Sequence, residues 1–288
     1  MIYKYLKSSL IKPLFNNLTA GENINSLTNK ISILNKNNLF PIVDYIKESS
    51  NNEREVIKSL REYIILSKMK DLKYIAIKLS TFQSDSNYKL NFLIQKMIDN
   101  NKIILIDAEN VDKQDKINEL TNKYIEKYNT DEIKVFKTYQ MYRKDSYEIL
   151  KDDIKKFNKL GIKLVRGAYH NQDKNTNKLF LEKNDTDIAF DKSMDLIFNT
   201  SYNQSFICTH NNNNINKMID NFNSNPNYYQ NKIFHASLYG FINNDTERIV
   251  KAGIKTFKYL PYGPIDDAVP YLTRRLYENP KILFYLFK

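Results

Sequence analysis

The feature that most constrains the fold of this chain is an eightfold alternation. Short runs rich in β-branched and aromatic residues recur along its 288 residues, and each is followed by a stretch whose apolar positions have helical spacing. The runs are Phe40–Asp44, Tyr74–Leu79, Ile103–Ala108, Val135–Gln140, Ile162–Ala168, Phe206–His210, Ile233–Leu238 and Phe257–Pro261. Helices are predicted over 53–69, 88–100, 112–128, 145–160, 186–199, 213–222 and 266–277. Such alternation gives a parallel sheet, and eight repeats fit a closed (β/α)8 TIM-type barrel of the α/β class better than an open doubly wound sheet. No Gly-x-Gly-x-x-Gly follows any strand, which argues against a dinucleotide-binding fold.

A further amphipathic helix is predicted over 22–38, so residues 1–38 read as an N-terminal helical segment before strand one. The last helix, after strand eight, belongs at the barrel mouth. No Pro/Gly/Ser linker or repeat divides the chain, and 1–288 reads as one domain. Residues 1–20 carry lysines and no acid, as a targeting segment would, but lack arginine; their apolar positions also suit a helix closing the bottom of the barrel. The polar stretch 170–186 after strand five suits a lid or a solvated connection. The Asn runs at 211–214 and 221–227 read as loop sequence with one Asn capping a helix.

Composition narrows the classes. A hydrophobic share of 42% supports a full core, and no run of 18 apolar residues suggests a membrane span. One cysteine, Cys208, and three scattered histidines leave little for a disulfide or a metal. The net charge of +11 would suit nucleic acid, but the lysines are spread along the chain without a basic-aromatic module, so no nucleic-acid partner is expected. Weak contact with an anionic membrane surface remains open.

In a β/α barrel the functional residues project from the C-terminal strand ends. Those ends carry Lys78, Asp107, Gln140, Arg166 with Gly167, Thr209 with His210, Leu238 and Tyr259. Each alone could be an ordinary polar strand end; together they are what one shared pocket requires. Only seven of the 44 basic residues are arginine, yet two stand side by side at Arg274 and Arg275, next to Tyr271. In a lysine-rich chain this points to a need for the guanidinium fork, which binds a carboxylate through two parallel hydrogen bonds. A surface ion pair with Glu278 is the alternative. Three of the six glycines, Gly167, Gly240 and Gly263, fall at or just past strand ends.

The motifs Lys163-Leu-Val-Arg-Gly-Ala-Tyr169, Thr209-His-Asn211, Tyr259-Leu-Pro-Tyr-Gly-Pro264 and Tyr271-Leu-Thr-Arg-Arg-Leu-Tyr-Glu-Asn279 resemble the proline dehydrogenase family. Weaker matches are Ile77-Lys78-Leu79, Ile106-Asp-Ala-Glu109, Thr138-Tyr-Gln-Met-Tyr142 and Leu238-Tyr-Gly240, all in family order from about residue 20 onward. The resemblance implies a barrel holding FAD at its mouth. Arg274 and Arg275 would clamp the carboxylate of L-proline, Tyr169, Tyr259 and Tyr271 would wall its ring, and Lys78 and Leu238 would complete the pocket. Lys78, Asp107 and Tyr259 would be the catalytic set. Asp107, Gln140, Lys163, Val165, Arg166, Gly167, Ala168, Thr209, His210 and Asn211 would lie along the flavin, and Glu48 would pair with Arg274 as a gate.

The implied reaction is oxidation of L-proline to Δ1-pyrroline-5-carboxylate by hydride transfer to flavin N5. Electrons would pass to a quinone through transient, peripheral membrane contact. Expected locations are the cytoplasm, the inner-membrane surface or, in a eukaryote, the mitochondrial matrix. The next enzyme, a pyrroline-5-carboxylate dehydrogenase, would be separate. Hydroxyproline dehydrogenase and a non-catalytic carboxylate-binding barrel are the alternatives. The sequence departs from the family pattern at His170-Asn-Gln-Asp173, at Ala236-Ser237 and at Lys163.

Overall fold

A computed structural model describes residues 11–47, 52–82, 87–201, 203–241 and 245–278. Eight parallel strands close into a barrel in chain order: β1 (Leu39–Tyr45), β2 (Tyr74–Ile77), β3 (Ile103–Ile106), β4 (Val135–Gln140), β5 (Gly161–Val165), β6 (Gln204–Cys208), β7 (Ile233–Leu238) and β8 (Thr256–Tyr262). Closure is made by β1 against β8, in register from Leu39 opposite Thr256 to Tyr45 opposite Tyr262. In chain order the helices are α1 (Lys12–Leu18), α2 (Ile24–Lys36), α3 (Glu53–Lys68), α4 (Tyr88–Asp99), α5 (Val111–Tyr128), α6 (Ser146–Lys156), α7 (His170–Asp173), α8 (Lys183–Phe198), α9 (Asn212–Ser224), α10 (Pro226–Tyr229), α11 (Asp245–Lys251) and α12 (Ile265–Glu278).

Strand alternation separates two cores. Residues facing out, such as Val43, Ile75, Ile104, Val135, Ile162 and Leu260, pack beneath the helices. Residues facing in, including Ile42, Ala76, Leu105, Phe136, Phe206, Phe234 and Phe257, fill the barrel. The aromatic members pack closely, with Phe206 4.8 Å from Phe257 and 5.0 Å from Phe136 between ring centroids. The barrel interior is therefore a solid plug, and a ligand cavity opens above it.

Local chemistry sets the helix ends. Asn23 and Ser26 form a reciprocal capping box on α2. On α3, Asn52 caps the first turn, which carries Glu53 and Glu55, while Lys68 sits in the last. Asn211 and Asn225 cap α9 and α10 in the same way.

Several expectations need correction. The strands from β2 to β3 are shorter than predicted: β2 stops at Ile77, because Leu79–Phe82 winds into a 3-10 turn, and β3 stops at Ile106. At β5 and β6 the strands end at Val165 and Cys208, so Arg166, Gly167, Thr209 and His210 lie on the loops beyond them. The stretch 170–186 contains α7, and it is stitched down: Leu179 is buried and bridges to Arg143, and Asp173 accepts from the Val111 N–H and the Tyr142 hydroxyl. It is neither a free lid nor a wholly solvated connection.

The first helix is at the opposite end from the one expected. Leu14, Phe15 and Leu18 of α1 pack with Ile46, Ala268, Tyr271 and Leu272, beyond the C-terminal ends of β1 and β8. Ala20 N–H donates to the Pro261 carbonyl at 2.7 Å, which fixes this segment at the mouth. Residues 1–10 of the N-terminal segment lie outside the described residues.

Candidate active site

Two residues beyond the plug, the same inward face turns polar. Ile42 is followed by Asp44, Ala76 by Lys78, Leu105 by Asp107 and Phe257 by Tyr259. Because side chains alternate, these four must converge above the plug. Lys78 Nζ lies 2.6 Å from Asp44 Oδ2 and 3.6 Å from Asp107 Oδ2. Lys163 Nζ lies 2.5 Å from Asp107 Oδ1, and the Tyr259 hydroxyl donates to Asp107 Oδ2 at 2.7 Å. Two carboxylates and two ammonium groups thus alternate, which compensates the cost of burying each charge.

The environment sets the protonation of this floor. Burial works against ionised Asp107, but Lys163 and Lys78 outweigh it and hold its pKa below the ordinary value. Burial likewise opposes charged Lys78, yet Asp44 and Asp107 keep its pKa well above normal. For Asp44 burial wins over Lys78, and its pKa is raised. Burial and the neighbouring Asp107 carry the Tyr259 phenol well above its usual range, so it stays protonated. Cys208 at the edge of the floor is pushed up to about 12 by burial, so its thiol is not a nucleophile.

Above the floor opens a cavity of about 230 Å³. Its walls are Lys78, Asp107, Gln140, Lys163, Val165, Arg166, Gly167, Ala168 and Tyr169 on the β2–β5 side, then Thr209, His210, Leu238, Tyr259, Tyr271, Arg274 and Arg275. The motif residues are thus gathered from the ends of seven strands and from α12 into one space. Asn211 is not among the lining residues; its side chain accepts from Asn213 N–H and Asn214 N–H instead, capping α9. Glu48, expected as a gate to Arg274, lies outside the described residues.

Helix α12 supplies one wall. Tyr271, Arg274 and Arg275 fall at i, i+3 and i+4, on one face. Arg274 lies over the Tyr169 ring at 5.2 Å and Arg275 over the Tyr271 ring at 5.3 Å, so both guanidinium groups are set against aromatic faces. The helix itself is tied down at its start: Glu22 accepts from Ile265 N–H, and Lys47 links Asp267 at 2.9 Å to Glu55 of α3 at 2.6 Å.

On the opposite wall Arg166 is fixed by three partners. It donates to Asp187 at 2.7 Å, to Thr209 at 3.0 Å and to Asn214 at 2.6 Å, and its guanidinium lies 4.4 Å above the Phe190 ring. Beside it Gly167 has φ +130°, and a Cβ there would come within 1.6 Å of the Tyr142 ring. Only glycine fits. Gln140 donates to the Glu109 carbonyl at 2.8 Å.

Sequence reasoning missed Asp44, Asp187 and Asn214. Asp44 had a usable signal: it is the one acid in the apolar run Phe40–Tyr45, in phase with the inward-facing Ile42. Asp187 and Asn214 had none, since each reaches Arg166 only through the docking of α8 and α9.

The molecule is thus a β/α barrel with a ligand cavity at its mouth, floored by balanced buried charges and lined by an arginine pair. The family model described as proline dehydrogenase matches residues 27–283, and the chain belongs to the proline dehydrogenase family. It is 24% identical over 294 residues to the carbapenem antibiotics biosynthesis protein CarD of Pectobacterium carotovorum subsp. carotovorum, covering 90% of this chain and 77% of that protein. It is 32% identical over 217 residues to the mitochondrial proline dehydrogenase 1 of Dictyostelium discoideum, covering 64% of this chain and 37% of that protein. The barrel also resembles proline utilization A from Bdellovibrio bacteriovorus, inactivated by N-propargylglycine in its crystal structure. The TM-score is 0.83 at 16% identity, over 96% of this chain and 34% of that one. The chain thus spans little more than a third of the latter two proteins.

Proposed function

We propose that this protein oxidises L-proline to Δ1-pyrroline-5-carboxylate with FAD as its cofactor, as an oxidoreductase acting on CH–NH donors that passes electrons to a quinone. The observation that carries this reading is that the Arg274–Arg275 pair, the balanced charges of the floor and Tyr169, Tyr259 and Tyr271 line one cavity. The pair can bind one small carboxylate bidentately, and the tyrosines leave an apolar slot for a saturated ring.

The donor set along the other wall fits a flavin. Gln140, Lys163, Arg166 and His210 present hydrogen-bonding groups, of which Arg166 is rigidly held, beside the side-chain-free backbone of Gly167. These residues, with Asp107, Val165, Ala168 and Thr209, would hold FAD, which when bound supplies the two-electron acceptor. The protein's own contribution is positional and electrostatic. Arg274 and Arg275 anchor the carboxylate, so the carbon next to nitrogen is presented in a fixed orientation. The tyrosines and Leu238 exclude water, which strengthens every charge interaction inside. Lys78, Asp107 and Tyr259 set the proton inventory near the substrate amine.

Transfer of electrons to a quinone would require contact with a membrane surface; among the described residues no helix is long and apolar enough to cross one. A cytoplasmic or inner-membrane-surface location, or the mitochondrial matrix in a eukaryote, suits this chemistry, with a separate pyrroline-5-carboxylate dehydrogenase taking the product. The test is to incubate the purified protein with L-proline and an artificial electron acceptor and trap the cyclic imine with an aromatic amino-aldehyde. Imine formation that depends on proline and FAD is the expected result; its absence overturns the reading.

A further inference from the structure

We propose that Asp44, acting through Lys78, takes the proton that the substrate amine must lose. This rests on the reading of the cavity as a proline site. A cyclic secondary amine enters as an ammonium ion at neutral pH, and a nitrogen without a free electron pair cannot push electrons into a C=N bond. One proton must therefore leave nitrogen before the hydride leaves carbon, in a pocket that excludes water.

The floor offers few acceptors. Asp107 is engaged at both oxygens, by Lys163 at Oδ1 and by Tyr259 and Lys78 at Oδ2. The Tyr259 hydroxyl already donates its hydrogen to Asp107. Asp44 differs. It is 2% exposed, Oδ2 accepts from Lys78 at 2.6 Å, and Oδ1 is buried with no hydrogen-bond partner among the described residues. A buried carboxylate oxygen without a donor is costly, and protonation of the group removes that cost. The groups that face it are Lys78 beyond β2, Asp107 beyond β3, Tyr259 on β8 and Tyr63 on α3.

The transfer balances without any outside reagent. A Lys78 Nζ–H bond breaks as an Asp44 Oδ2–H bond forms. The electron pair left on Nζ takes the proton from the substrate nitrogen, so one N–H bond breaks and another forms. Lys78 ends as it began, as an ammonium group; Asp44 becomes a neutral acid and the substrate a neutral amine. No electrons change hands, and the floor loses one buried negative charge as the substrate loses its positive one. Asp44 touches Lys78 rather than the substrate, so it is a positioning residue with a proton-holding role.

The experiment uses the FAD-loaded protein without oxygen. The infrared difference spectrum of the parent protein, with minus without L-proline, should show a new carboxylic-acid C=O stretch. The ring-oxygen analogue of proline, which has no amine proton, should show none. In Asp44→Asn, which still accepts from Lys78, the band should vanish. Flavin reduction by proline at neutral pH should slow by about 100-fold and recover as pH is raised, because bulk base then supplies the neutral amine. Affinity for the ring-oxygen analogue should stay unchanged. A band that persists in Asp44→Asn, an unchanged reduction rate, or an equal loss of affinity for the analogue overturns the proposal. If Asp44→Asn fails to fold, the infrared comparison of proline with its analogue in the parent protein decides alone: no proline-specific acid band overturns the proposal. Failure of proline to reduce the parent protein's flavin at all would instead overturn the proline reading.

Discussion

Tyr259 and Asp107, which stand 152 residues apart in the chain, are joined by a 2.7 Å hydrogen bond across the barrel. The bond links β8 to the end of β3 over the aromatic plug, and Lys163 and Lys78 hold the other sides of the same carboxylate. Tyr259→Phe removes the hydroxyl and leaves Asp107 Oδ2 one donor short. A hydrogen bond to a charged group contributes roughly 1.5–3 kcal/mol, so kcat/KM for proline should fall about 10- to 100-fold. Steady-state kinetics on the two proteins checks this, and an unchanged kcat/KM would mean the bond is structural only.

Arg275→Lys keeps the charge but removes the planar fork. KM for proline should rise about tenfold or more with a smaller change in kcat, because the proposed carboxylate clamp would lose its bidentate contact in bound substrate and transition state alike. Measuring kcat and KM separately distinguishes this from a general loss of folding.

Phe15→Ala tests the link between α1 and the site. Phe15 is 3% exposed and packs in the same cluster as Tyr271 and Leu272 of α12. The cavity should cost about 3–5 kcal/mol, felt first by α12. Amide hydrogen exchange should rise across Ile265–Glu278 before it rises in the strands, and KM for proline should increase. Uniform exchange across the barrel would contradict this coupling.

Gly167→Ala should lose flavin. The added methyl group meets the Tyr142 ring, and φ of +130° is hostile to any side chain. The combined cost of about 2–4 kcal/mol falls on the loop that would face FAD. Flavin content after purification should drop well below that of the parent protein, with the strand signal in circular dichroism retained.

Lys258 gives a pH dependence with a definite sign. It is buried, with Ser237 and Thr246 hydroxyls as its partners at 2.8 and 3.0 Å, and burial lowers its pKa from the ordinary 10.5 to about 8. Between those values the unfolded chain binds more protons at this group than the folded one, so its contribution to stability rises with pH. Below about 8 both forms are protonated and the full burial penalty stands. Lys258→Met should therefore be the more stable protein at pH 7, by about 1–3 kcal/mol, with the advantage shrinking as pH rises toward 10.5. Urea denaturation of both proteins at several pH values checks the trend; a gap that widens with pH contradicts it.

Much of the barrel was legible because the inward–outward alternation is written in residue type. Val135–Gln140 and Ile233–Leu238 coincide at both ends with the strands read from the sequence. At β2 the boundary failed for a local reason: Leu79, in phase with the apolar strand residues, is already the first residue of a buried 3-10 turn, Leu79–Phe82, so hydrophobicity alone reads it as strand. For α1 the amphipathic pattern says that one face is buried but not at which end of the barrel, and the Ala20–Pro261 hydrogen bond that decides this joins distant residues. The site was legible through scarcity, since arginine and glycine are rare enough here to be informative. Asp187 and Asn214 belong to residue types that are common in this chain, so their contacts with Arg166 left no mark in the sequence.

If this cavity brings proline and a flavin together, proline must reduce the flavin held there. The most direct measurement is the visible spectrum of the purified protein, recorded without oxygen before and after adding L-proline. A flavin band, present as purified or after adding FAD, should bleach on addition of proline. Protein that stays colourless with FAD, or a flavin band that proline leaves unchanged, would contradict that reading of the cavity.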